Sequence, residues 1–180
     1  MLTGAYAMAK AKSKTSALTP MERYEDTAKH FSLDLPKQWE QRKDAMGAAI
    51  IALRPAEGKK DTFRENVNVV VEPLSAKMTA KQYFDASQGV LAKAFSEFHL
   101  EKKGHSMIDK HDFFWSIFTH RLGTTRAKVL QYMTVDGSNG YVVTGSALPA
   151  TFPKFLPTFE SIAKSVHIKP AGPEVVKTSP

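Results

Sequence analysis

The chain has 180 residues, of which 42% are hydrophobic and 24% charged, the composition of a single globular domain with its own core and not of a disordered chain. It contains no cysteine, which excludes disulfides, thiolate nucleophiles and cysteine-based metal sites, and no run near the roughly 18 apolar residues of a membrane helix. The formal charge is +7 and the pI about 9.5, but the lysines of residues 1–20 and the net charge of residues 169–180 supply more than half of that excess, so the body is expected to be a solvated, mildly basic surface and not a dedicated nucleic-acid face.

Residues 1–20 are rich in Ala, Lys, Ser and Thr without an apolar period and are expected to form a flexible basic arm, with a short amphipathic helix as the other possibility. Met1 to Met8 is too short for a secretory core, and its lysines follow the apolar residues instead of preceding them. With neither a recognisable signal peptide nor a lipoprotein cysteine, the expectation is a soluble protein that stays where it is made, the cytoplasm first. The alternative is that a targeting segment has already been trimmed.

The single domain is expected over 21–168. His30 to Leu35 alternates, with Phe31, Leu33 and Leu35 inward, and Pro36 closes that strand because it cannot donate to a ladder. Trp39 is expected to fold back over the core. Ala48 to Leu53 reads as a short buried strand, and Asn66 to Glu72 as another with Val67, Val69 and Val71 on one face. Thr79-Ala80-Lys81-Gln82 has capping-box spacing, and Phe84, Gln88, Leu91, Phe95 and Phe98 recur at helical intervals, so a helix is predicted over 79–98. Gly89 inside it suggests close packing.

A short edge strand is predicted at 99–103, broken at Gly104, with the next beginning near Ser106. From Asp112 to Ala147 the sequence reads as a β-meander, three strands joined by turns at Gly123-Thr124-Thr125 and at Asp136 to Gly140. The aromatic run from Phe113 to Phe118 has apolar residues of both parities, which predicts burial on both faces. A last helix is expected to start at Leu156-Pro157, in preference to the earlier start at Phe152-Pro153, with Phe155, Phe159, Ile162 and Val166 on its apolar stripe. Residues 169–180 form a proline-bearing tail.

No catalytic signature emerges. Asp109, His111 and Asp112 lack a nucleophile elbow, Ser138 belongs to a hairpin turn, and Gly137 and Gly140 are turn glycines and not a phosphate loop. His105, Asp109 and His111 lie at even spacing, but an extended strand sets the two histidines about 20 Å apart, too far to share an ion unless the chain turns between them. His120, in phase with Phe114 and Phe118, is expected to be a satisfied core or strand-end histidine. Lys102, Lys103, Arg121, Arg126 and Lys128 gather near one hairpin and form the candidate partner-binding patch. No metal, cofactor or catalytic residue is assigned.

Tyr24-Glu25-Asp26, followed by Phe31-Ser32-Leu33-Asp34-Leu35-Pro36 and Trp39, resembles the opening "Y-x-D…F-s-l-x-x-P-x-x-W" of PsbP-domain proteins. Glu65 to Val71 is similar to their second characteristic strand, and Phe159 to Val166 to their closing helix, so the likeness spans residues 24–168. That superfamily also takes in Mog-type Ran-binding proteins and bacterial DcrB-like proteins. The resemblance implies an α+β fold, an α/β/α sandwich with a central, mainly antiparallel β-sheet flanked by helices. It also implies a mostly non-catalytic role: photosystem subunits of the thylakoid lumen, assembly factors, Ran binders, secretion chaperones and envelope lipoproteins. The absence of a visible transit peptide or lipoprotein cysteine sets this chain apart from the lumenal and lipid-anchored members. The expected function is thus a non-enzymatic protein-binding module, an accessory or assembly subunit of a larger complex. The alternative is a small-ligand or metal-binding domain using the His105–Asp112 loop.

Overall fold

The computed structural model describes residues 19–59 and 61–169, so the expected N-terminal arm and C-terminal tail lie almost wholly outside the described residues. In chain order the elements are β1 (Met21–Asp26), β2 (Phe31–Pro36), β3 (Glu40–Ala45), β4 (Ala48–Leu53), β5 (Asn66–Pro73), α1 (Ala80–Ala94), β6 (Ser96–Ile108), β7 (His111–Leu122), β8 (Thr125–Asp136), β9 (Asn139–Ala147), α2 (Phe152–Lys164) and β10 (His167–Ile168). Seven strands form one antiparallel sheet in the order β3-β4-β5-β9-β8-β7-β6, and β1, β2 and β10 form a second, small antiparallel sheet.

Strand alternation assigns the layers. Tyr141, Val143 and Ala147 of β9 and Leu130 and Tyr132 of β8 point to one face, where they pack with α2 and with Phe31, Leu33 and Leu35 of the small sheet. Val142 and Met133, one residue out of phase, point to the other face and meet Tyr83 and Phe84 of α1. The large sheet therefore lies between α1 on one side and α2 with the small sheet on the other. This is the expected α/β/α sandwich, except that a three-stranded sheet shares one outer layer. Burying a ring such as Phe31, which is fully inaccessible, contributes about 1.5–3 kcal/mol.

Two glycines of β9 let the helices approach. Gly145 lies under Phe159 of α2, where a Cβ would come within 2.5 Å of the ring, and Gly140 lies under Tyr83 of α1, where it would come within 2.6 Å. Immediately before β5, the buried Glu65 carboxylate accepts from Arg54 (3.1 Å) and from Thr151 (2.8 Å), the residue before α2, and so ties the helix to the sheet. Trp39 is buried in the larger core, as its expected fold-back requires.

Several boundaries differ from expectation. Helix α1 has its capping box at Thr79 and Gln82 but ends at Ala94, and Phe95 and Phe98 lie beyond it. Phe95 has an extended backbone and Glu97 a positive φ of 52°, which turns the chain into β6 while both aromatic rings reach Phe118. Gly89 faces open space and marks no close packing. The split edge strand is instead continuous through Gly104. Glycine is needed there because the Trp115 ring of the neighbouring strand occupies the position a Cβ would take, with Cζ2 at 2.4 Å.

Helix α2 takes the earlier start. The Leu148 carbonyl accepts the amides of Thr151 (3.0 Å) and Phe152 (2.8 Å), which nucleates the turn before Pro153, and Pro157 is accommodated inside the helix. The charged stretch Glu40–Ala45 and the segment Met21–Asp26, neither read as a strand, form β3 and β1. Each is an edge strand with one exposed face, so its sequence lacks the apolar alternation of a buried one.

Candidate functional site

Helix α1 packs chiefly over β6, β7 and β8, touches β9 and the end of β5 through Tyr83 and Phe84, and leaves most of the same face of β4, β5 and β9 without a helix. A groove of about 940 Å³ remains between the side of α1 and the exposed half of the sheet. That volume falls in the range of roughly 300–1,000 Å³ typical of small-molecule sites. Val70, Val129, Met133 and Val142 rise from its floor, and Leu91 and Phe95 wall the helix side. Met46, Val90 and Leu122, three large apolar side chains at 94%, 64% and 60% exposure, stand at its rim.

Register places a polar row across this apolar floor. Ile51 pairs with Asn68, Asn68 with Thr144, Thr144 with Gln131, and Gln131 with Ser116, so their side chains share one line on the α1 face. Gln131 is 8% exposed; its Nε2 donates to Thr144 Oγ1 at 3.1 Å, while its Oε1 is buried without a partner. Gln88 of α1 donates to Ser116 Oγ at 3.3 Å, and its Oε1 is likewise unpartnered. A buried acceptor left without a donor costs about 1–3 kcal/mol.

His120 also lines the groove and is 6% exposed, with its ring stacked on Phe95 at a centroid separation of 4.2 Å. Its Nδ1 finds no hydrogen-bond partner of normal geometry, so it is a core histidine, but not the satisfied one expected. Burial pushes its pKa below the ordinary histidine value, against a smaller opposing effect of the Arg121 backbone, and it is neutral at pH 7. Among the described residues lining the groove, Glu72 carries the one formal charge, and the Tyr83 hydroxyl donates to it. That bond and burial push the Tyr83 pKa well above the usual tyrosine value, burial being the larger cause. The groove thus offers a long apolar surface, a line of neutral polar groups and, at Gln131, a buried acceptor in want of a donor.

The groove was not read from the sequence. On β5 the residues Asn66, Asn68 and Val70 alternate with Val67, Val69 and Val71, and alternation alone assigns the mixed face to solvent. One signal was present: Gln131 stands in the otherwise apolar run Val129 to Met133.

The five basic residues of the candidate patch are divided by the fold. Lys102 pairs with Ile117 and Arg126 with Arg121, which sets Lys102, Arg121, Arg126 and Lys128 on the α2 face, while Lys103 pairs with Ser116 on the other. Arg121 bonds Glu97 at 3.0 Å, and Lys128 bonds Glu101 at 2.5 Å and lies over the Phe152 ring. Among the described residues, Lys102, Lys103 and Arg126 are exposed and make no ion pair. Lys102 and Lys103 belong to β6, a 13-residue edge strand whose outer side is unpaired in the sheet and which also exposes Leu100 and Met107.

At the opposite end of β6 the chain does turn between the two histidines, through Asp109 and Lys110 at positive φ. Their nitrogens are nevertheless taken separately. His105 Nε2 meets Asp112 at 2.7 Å, His111 meets the Asp109 carbonyl at 2.8 Å and Asp136 at 3.4 Å, and His167 meets Asp109 at 2.5 Å. Among the described residues, no three such side chains converge as one ion would require.

No family model and no curated protein sequence matches the chain. Solved structures do. The chain is similar to cyanobacterial PsbP (CyanoP) from Synechocystis sp. PCC 6803, at 15% identity over 88% of this chain and 98% of that one, with a TM-score of 0.61. It is similar to LpqN, involved in cell envelope biogenesis of Mycobacterium tuberculosis, at 13% identity over 84% of this chain and 86% of that one, with a TM-score of 0.64. The Saccharomyces cerevisiae Ran-binding protein Mog1p matches at 8% identity over 84% of this chain and 97% of that one, with a TM-score of 0.56. At these identities the likeness speaks for architecture, and it extends over most of each chain: the chain has the PsbP/Mog-like α+β fold.

Proposed function

We propose that the chain is a non-enzymatic protein-binding module, an accessory subunit of a larger assembly, whose partner docks along the β6 edge. The observation that carries this reading is that edge itself. It is a long strand whose outer side has no partner strand among the described residues; it presents Lys102 and Lys103, with Arg126 two strands away, and displays exposed Leu100 and Met107. Backbone groups of an open edge supply affinity for an added strand or loop, and unpaired cations select an acidic one. The register shifts in β6, between Ser96 and His99 and between Leu100 and Lys102, favour a specific partner over edge-to-edge self-association. Mog1p is a Ran-binding protein, which supports protein recognition by this architecture. No helix among the described residues is long and apolar enough to cross a membrane.

Affinity capture by the full chain, identification of what is retained and direct titration of that protein test the proposal. The expected result is one protein partner whose binding weakens by about tenfold or more in a Lys102→Glu, Lys103→Glu, Arg126→Glu variant and with added salt. Failure to retain any protein, or equal affinity for the variant, refutes it.

A further inference from the structure

We propose that the groove beside α1 is a binding site for an uncharged amphipathic small molecule, with an apolar chain or ring body and a hydroxyl or amide hydrogen-bond donor directed at Gln131. This site is separate from the β6 edge and goes beyond the protein-docking reading.

The chemistry of the occupant follows from what lines the groove. Its walls and floor are mostly apolar, and its rim exposes Met46, Val90 and Leu122 to water, a surface that gains from being covered. Among the described residues lining it there is no cation, and the carboxylate of Glu72 is already held by Tyr83, so neither a fatty-acid carboxylate nor a phosphate finds a counter-charge in that lining. A neutral molecule enters without leaving a charge unpaired. Within the apolar floor, Gln131 is more than nine-tenths buried and keeps an unpartnered Oε1, and His120, equally buried and neutral, keeps an unpartnered Nδ1. Gln131 is held from the other end by its bond to Thr144, so its amide is positioned and not free to turn away. A ligand donor reaching this carbonyl by a small side-chain adjustment would satisfy an acceptor that the protein leaves empty.

The position has a structural cause. One helix on this face does not cover a seven-stranded sheet, and α1 lies chiefly over β6 to β8, reaching β9 and the end of β5 only through Tyr83 and Phe84. The remaining half of the face carries Ile51, Leu53, Val70 and Val142, residues suited to an interior, together with the row through Asn68, Thr144 and Gln131 and a second polar pair, Asn66 and Ser146. A purely solvent-facing surface would not combine this apolar content with the buried, unpartnered amide oxygen of Gln131.

The test uses the full chain and N-phenyl-1-naphthylamine as a fluorescent apolar probe, displaced in turn by 1-decanol, decyl methyl ether and decanoate. The expected result is probe uptake, with decanol displacing it at concentrations about fivefold to tenfold lower than the ether, which lacks the donor, or decanoate, which is charged. In a Gln131→Leu variant the ether should still displace the probe while the preference for the alcohol falls to within about twofold. An Ala86→Trp variant, placed on the exposed helix wall of the groove, should lose uptake of the probe while retaining its thermal transition. Absence of uptake by the folded wild-type chain, equal potency of ether and alcohol, stronger displacement by decanoate, or undiminished uptake by Ala86→Trp would each overturn the proposal. The wild-type comparison of alcohol with ether decides the question even if Gln131→Leu does not fold.

Discussion

Replacing the two central members of the polar row, Gln131→Leu with Thr144→Val, is expected to stabilise the protein. The two side chains face each other across β8 and β9 and share one hydrogen bond of 3.1 Å, while Gln131 Oε1 stays buried and unpartnered. Removing the empty acceptor recovers about 1–3 kcal/mol, and losing the hydrogen bond gives back about 0.5–1.5 kcal/mol, because its two partners leave together and neither is stranded. Leu and Val extend the apolar rows on either side, Val129 and Met133 on β8 and Val142 on β9, so the shape of the floor is kept. The net gain is about 1 kcal/mol, which for a chain of this length raises the melting temperature by about 2–4 °C. Urea and thermal unfolding of the wild-type chain and the double variant measure it. A loss of more than about 1 kcal/mol would falsify the reasoning, since it would mean that Gln131 is fully satisfied in the native protein and that the row is structural. A gain would identify the row as a place where stability is given up, the pattern expected of a binding site.

Two further outcomes follow from the packing. Gly145→Ala places a Cβ 2.5 Å from Phe159 Cγ and should destabilise by about 1–3 kcal/mol, with a double-mutant cycle against Phe159→Leu giving a coupling of at least about 0.5 kcal/mol; strict additivity in chemical denaturation would refute the contact. His120, whose pKa burial lowers from 6.5, takes up a proton in the unfolded chain before it does so in the native one, so its contribution is fully present above about pH 6.5 and is lost as pH falls through the folded value; His120→Phe should flatten that acid limb of the stability profile, and an unchanged slope would contradict the burial argument.

Much of the architecture was legible before any coordinate. The meander, the strands at Ala48 to Leu53 and Asn66 to Glu72, the capping box at Thr79 and the apolar stripe of α2 all rest on local signals, namely side-chain period, turn residues and caps, and these act over a few residues. Short motifs around Tyr24, Phe31 to Pro36 and Trp39 pointed to the PsbP/Mog-like fold for the same reason: they describe buried positions of the core. Where the local rule met a long-range contact, the contact prevailed. Phe95 and Phe98 fit a helical stripe but turn into β6 to meet Phe118, and Gly104, which reads as a break, is a strand residue making room for Trp115.

By itself the sequence determined an α+β fold, the order of most of its elements and the absence of thiol chemistry, because period, propensity and composition are properties of the chain alone. Only the tertiary structure decided what lies opposite each face. The groove depends on how far α1 extends over the sheet, and the line Ile51, Asn68, Thr144, Gln131 and Ser116 exists only in the register of five strands, drawn from residues 65 positions apart from Ile51 to Ser116 and further still to Thr144. In each separate strand these residues look like a solvent face or a single misplaced amide. Pairing turns the first four into part of the floor of one cavity and sets Ser116 beneath Gln88 of α1, since burial depends on what the fold brings above a residue and not on the residue's neighbours in sequence.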